Sequence, residues 1–144
     1  TKLSTREVAE VTAQMVQIVA ATSRTTDLIG SDGDARLLLL LSDTDADGAK
    51  IALDDRARLI GDYTFTAGNE RLRLTPTIGF ALAFAELTAD ELIEQAHIAA
   101  EHSALHLDLQ TNQFVPEMIA EATATRSSKR KSWLQRWRDH PPWD

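Results

Sequence analysis

The 144-residue sequence contains no cysteine, which excludes a disulfide framework and any metal centre built on thiolates. Aromatic residues are scarce, at 6%, so a core has to be assembled mainly from aliphatic side chains. No apolar run, the leucines from Leu37 to Leu41 included, approaches the ~20 residues of a membrane-spanning helix. No basic, apolar leader opens the chain, so no secretory signal is expected. These absences lead to the expectation of a cytoplasmic protein.

What is present is an ordinary globular balance, 43% hydrophobic and 26% charged, in a length that suits one domain with its own core. The net charge of −7 is uneven. Residues 1–125 hold 9 Lys/Arg against 20 Asp/Glu, whereas residues 126–144 hold 6 Lys/Arg against 2 Asp/Glu. An acidic body repels nucleic acid, and no nucleic-acid partner is expected. A domain over 1–117 and a basic C-terminal helix or tail over 118–144 form the expected division. The tail carries Trp133, Trp137 and Trp143, a composition that suits docking to a protein partner or an anionic membrane surface, or a helix folded back on the acidic body.

Hydrophobic spacing predicts the elements. Ser4 and Glu7 have the capping-box spacing, and Val8, Val11, Met15, Ile18 and Val19 follow at helical intervals to about Ser23. Two short strands, Thr26 to Ser31 and Ala35 to Leu41, flank Asp32-Gly33 as a hairpin. The leucines suggest a central strand covered on both faces. A second helix is expected over Thr44 to Leu59, with Ala49, Leu53 and Ile60 inward, and a second hairpin turning at Ala67-Gly68-Asn69. Leu72, Leu74, Ile78, Phe80, Leu82 and Phe84 then alternate with a period of two, interrupted by Pro76. Thr88 and Glu91 open a third helix to about Ala104, and a short strand is expected near Asn112 to Val115. The order implies an α+β fold, a mostly antiparallel central sheet flanked by helices.

Arg24-Thr-Thr-Asp27, the hairpin Gly33-Asp34-Ala35-Arg36-Leu37, the leucine strand and Ser42-Asp43-Thr44-Asp45 together resemble the GGDEF family of bacterial diguanylate cyclases. Thr75-Pro-Thr77-Ile78-Gly79-Phe80 is similar to that family's later Thr-x-Ser-x-Gly strand. Leu87 to Leu92, continued through Ala96 and Ala99, is similar to its last helix. The resemblance spans roughly residues 4–115 and implies a nucleotide-cyclase-like fold, truncated at its N-terminus because the first strand and its metal-binding Asp have no counterpart.

It also implies an inactive cyclase. The family's second glycine is Asp34 here, and the acidic pair that holds Mg²⁺ is Ala35 and Arg36. Phosphoryl transfer needs metal ions on carboxylate oxygens, and arginine cannot ligate them. The family's inhibitory Arg-x-x-Asp site does have counterparts, Arg24 and Asp27. The resemblance therefore implies a non-catalytic receptor for cyclic di-GMP. An arginine fork grips guanine O6/N7 or phosphate, and an aspartate accepts from the guanine N–H edge. Such a site normally uses a second arginine, for which Arg56 and Arg58 are candidates. The alternative is a protein-interaction or self-association module that binds no nucleotide. The bland account of Arg24 and Asp27 is that they close a helix and open a strand.

Other constellations carry less. Asp43, Asp45, Asp47, Gly48 and Asp54 match EF-hand positions, but an incoming strand, Lys50 within the loop and Asp at the last position favour a polar turn before a helix. His102 and His106 have i,i+4 spacing without an H-E-x-x-H pattern, and a solvated or core-edge role is expected for them. No cofactor and no metal ligand is expected.

Overall fold

The first helix, α1 (Thr5–Thr22), starts where the Ser4 hydroxyl accepts from Glu7 N–H at 3.1 Å and the Glu7 carboxylate accepts from Ser4 N–H at 2.9 Å. A cap of this kind stabilises a helix by about 1 kcal/mol. The computed structural model describes residues 2–31, 35–106 and 111–125. Within them follow β1 (Leu28–Ser31), β2 (Leu37–Leu40), α2 (Ala46–Asp62), β3 (Phe65–Ala67), β4 (Glu70–Leu72), β5 (Gly79–Phe80), α3 (Ala89–Leu105), β6 (Asn112–Gln113) and α4 (Met118–Thr125).

The three expected helices and both hairpins are present, and the chain is an α+β domain. The central sheet is not: the described strands form three separate two-stranded sheets, β1–β2 and β3–β4 antiparallel and β5–β6 parallel. One physical reason lies at Pro76, which has no N–H for a ladder and sits in the irregular segment between β4 and β5. That segment keeps the period of two in its burial: Leu72, Leu74, Pro76 and Ile78 are half-buried while residues 71, 73, 75 and 77 are exposed.

The leucine strand is likewise not covered on both faces. Leu37 and Leu39 pack on the core, but Leu40 is 45% exposed, as is its register partner Leu28 at 50%. Helix α1 covers one face of this hairpin, and none of the described elements covers Leu28 and Leu40. The turn residues of the hairpin, 32–34, fall outside the described residues, and so does the tail with its tryptophans.

Three apolar clusters hold the elements. The largest joins Val11, Met15 and Val19 of α1 to Ile60, Phe65 and Ala67. A second joins Ala49 and Leu53 of α2 to Phe80, and Leu39 packs against both. The third joins Ile98 and Ala99 of α3 to Met118 and Ala122 of α4. Gly79 makes the α3 contact possible: a Cβ there would lie 2.1 Å from Ala100 N and 2.4 Å from the Ala99 carbonyl carbon. Only glycine lets strand and helix backbones approach so closely. Below this crossing the buried Ser103 hydroxyl donates to Ile78 O at 3.2 Å and accepts from Asn112 Nδ2 at 2.8 Å, tying α3 to β5 and β6. No helix among the described residues is long and apolar enough to cross a membrane.

Candidate functional site

Helix α1 stops at Ser23, whose extended backbone turns the chain out of the helix. The next four residues close a turn, with Asp27 N–H donating to Arg24 O at 3.0 Å. The Asp27 side chain is 1% exposed. Its carboxylate accepts from Arg24 N–H at 3.1 Å, Arg24 Nη2 at 3.1 Å, Arg24 Nε at 3.4 Å and Ser42 N–H at 3.2 Å. Arg24 Nη2 reaches further, to Ser42 O at 2.6 Å and Thr44 Oγ1 at 2.8 Å. The pair thus fastens the start of β1 to the loop between β2 and α2, while the Arg24 side chain remains 54% exposed.

Burial works to raise the Asp27 pKa, but the hydrogen bonds from the Arg24 side chain and the two N–H groups, with the guanidinium charge, outweigh it. The carboxyl is held below its ordinary value.

Arg56 and Arg58 come to the same end of α1. Arg56 is 8% exposed, and its Nη1 and Nη2 donate to Ala52 O at 2.9 Å and Thr22 O at 3.2 Å. The second bond satisfies a carbonyl in the last turn of α1, where a cation is electrostatically favoured. Arg56 Nε is buried with no hydrogen-bond partner. Beside it opens a cleft of about 420 Å³ lined by Thr22, Asp55, Arg56, Arg58, Leu59 and Asp62. Arg58 is exposed and donates to Asp55 at 2.8 Å. Thr22 lies in the cleft wall two residues before Arg24, but Arg24 and Asp27 are not among the lining residues: Asp27 faces inward, and the Arg24 side chain is directed to Asp27, Ser42 and Thr44.

The β2 arm of the β1–β2 hairpin is described from Ala35 onward. Ala35 has φ +61°, the left-handed region that favours glycine, and its N–H donates to the buried Thr12 hydroxyl at 2.7 Å. Asp45, counted among the EF-hand positions, is the N-cap of α2, accepting from Gly48 N–H at 2.7 Å. Its carboxylate is used by the helix, as the bland account of that loop holds.

One grouping escaped the sequence reading. His102 and His106, at the end of α3, both meet Glu121 of α4: His102 Nδ1 lies 2.9 Å from Oε1 and His106 Nε2 lies 2.5 Å from Oε2. The i,i+4 spacing signalled the two histidines, but nothing in the sequence pointed to a carboxylate 15 residues beyond His106.

No protein-family model matches the chain, and no curated protein matches it.

Proposed function

We propose that the chain is a non-catalytic receptor for an anionic nucleotide, cyclic di-GMP, bound by arginines at the C-terminal end of α1. The observation that carries this is the buried Arg56 guanidinium, hydrogen-bonded to carbonyl oxygens, with an unpartnered Nε beside an open cleft. A buried cation without a carboxylate is costly, and an anion entering the cleft relieves that cost. Arg24 and Arg58 add exposed guanidinium charge for phosphate oxygens or guanine O6/N7, although Nε and Nη2 of Arg24 are taken by Asp27, Ser42 O and Thr44 and Nη2 of Arg58 by Asp55. Asp27, already committed to Arg24, orients that guanidinium instead of reading the guanine N–H edge. The choice of cyclic di-GMP rests on the resemblance of the flanking segments to the GGDEF family.

Calorimetric titration of the full chain with cyclic di-GMP and with cyclic di-AMP tests this. Saturable binding of the first and markedly weaker binding of the second is expected, since adenine offers an amino donor where guanine offers O6. Equal binding of the two reduces the site to a phosphate contact.

A second function, self-association without a nucleotide, draws support from one specific observation. Leu28 and Leu40 form an exposed cross-strand apolar pair on a hairpin whose outer edges are unpaired among the described residues. Failure of both dinucleotides to bind, with a mass that rises with concentration in light scattering, favours that function.

A further inference from the structure

Helix α4 has only 8 residues, too few to be stable without tertiary support. Its described apolar anchors on α3 are Met118 and Ala122. Between them Glu121, 32% exposed in its side chain, faces the last turn of α3 and the residue that ends it. There His102 and His106 bring their rings to a centroid distance of 4.4 Å, and each directs one nitrogen at a different oxygen of the same carboxylate. The three donor atoms lie within 4.8 Å of one another.

We propose that His102, His106 and Glu121 form a binding site for a divalent transition cation, Zn²⁺ in the first instance, that clips α4 onto α3. With Zn–N and Zn–O bonds of about 2.0–2.2 Å, tetrahedral ligand atoms stand roughly 3.4 Å apart. The donors stand 2.5 and 2.9 Å apart across the carboxylate contacts and within 4.8 Å overall, so side-chain rotations of roughly an ångström bring them to that spacing. Two histidines one turn apart on a helix, joined by a carboxylate from elsewhere, supply three of the four ligands Zn²⁺ takes. His106 is half-exposed, its side chain 52% accessible, so water can take the fourth position.

The surroundings favour a cation. The site lies at the C-terminal end of α3, where the helix dipole presents its negative pole, on a body in which acidic residues outnumber basic ones. Hydrogen bonds from His106 and then His102 hold the Glu121 carboxyl below its ordinary pKa, so it is ionised at neutral pH. Two imidazoles select Zn²⁺, Cu²⁺ or Ni²⁺ over Mg²⁺ and Ca²⁺, which prefer all-oxygen shells. Zn²⁺ binds imidazole nitrogens in their neutral form together with the ionised carboxylate. The consequence of binding is mechanical: the helix from which the basic C-terminal segment departs becomes fixed to the domain.

Calorimetry with ZnCl₂ on the chelator-treated full chain is the test, with thermal unfolding in parallel. One Zn²⁺ per chain, a raised Tm and no response to Mg²⁺ are expected. His106→Gln and Glu121→Gln should each weaken Zn²⁺ at least tenfold. His140→Gln, altering the one histidine outside the α3 region, should bind as the unmodified chain does. Circular dichroism establishes that each variant is folded, and the exposure of His106 makes its variant the safer probe. Absence of stoichiometric binding, or unchanged affinity in folded His106→Gln, overturns the site. Neither result touches the nucleotide proposal, which rests on other residues.

Discussion

Asp27 is the residue on which the local structure at the end of α1 depends. It is almost wholly buried, and four donor contacts converge on its two oxygens. Asn at position 27 keeps the shape but replaces one acceptor oxygen with a donor facing other donors. Asp27→Asn should lower stability by about 1–3 kcal/mol, the usual size for a buried hydrogen bond to a charged group, measured by urea unfolding at neutral pH. The pH dependence has a definite sign. A carboxyl whose pKa is lower folded than unfolded contributes stability above its unfolded value, about 3.9, and loses it as pH falls through the folded value. The gap between the parent chain and Asp27→Asn should be constant above about pH 5 and narrow below pH 4. A gap independent of pH would mean that the carboxylate charge adds nothing. The sequence spacing singled out Arg24 and Asp27, but it did not reveal that Asp27 turns inward. That depends on Ser42 N–H arriving from the far end of the hairpin, a contact 15 residues away.

At the scale of elements, the parts with local causes were legible and those with long-range causes were not. Both capping boxes announced their helices, because the reciprocal bonds span only three residues. The turn at Gly68 was legible too, glycine being suited to its φ of +62°. The parallel β5–β6 pairing was not, since it joins Gly79 to Asn112 across the whole of α3. The same holds for Glu121, whose meeting with His102 and His106 follows from the packing of α4 on α3. Gly79 bears on both: as the residue against which the α3 backbone rests, it governs how β5, β6 and α3 assemble. Gly79→Ala drives a methyl group into helix backbone that cannot yield as a flexible side chain would. A loss of about 1–3 kcal/mol or more is expected, read as a lower urea midpoint. The opposite control is Gly61→Ala in α2, where an added Cβ meets nothing within 4 Å and helix propensity predicts a gain of up to about 1 kcal/mol. Equal effects at the two glycines would contradict the close packing inferred at Gly79.

For the whole molecule, charge sets the terms of the proposed function. By the resemblance to the GGDEF family, Ala35 and Arg36 correspond to the positions at which that family's chemistry needs metal carboxylates. Purified protein incubated with GTP and Mg²⁺ or Mn²⁺ should therefore yield no cyclic di-GMP by chromatography, and detectable turnover would overturn the account of those positions. An acidic body does not attract an anionic nucleotide at long range, so any affinity has to come from arginines at short range. Arg56 and Arg58 line the cleft beside the last turn of α1, with the Asp55 and Asp62 carboxylates also in its wall, and Arg24 follows that helix outside the cleft lining. Arg56 also supports the fold through Thr22 O, so a loss of binding on its removal would be ambiguous. Arg24→Ala also removes the Arg24–Asp27 pair, so its unfolding midpoint is measured alongside and titration is done well below it. The most direct measurement is calorimetric titration of cyclic di-GMP into the full chain and into folded Arg24→Ala and Arg58→Ala. Binding by the parent, weakened by about 1–3 kcal/mol in each variant, is the expected result; no binding to the folded parent, or affinity unchanged in both variants, would contradict the receptor function.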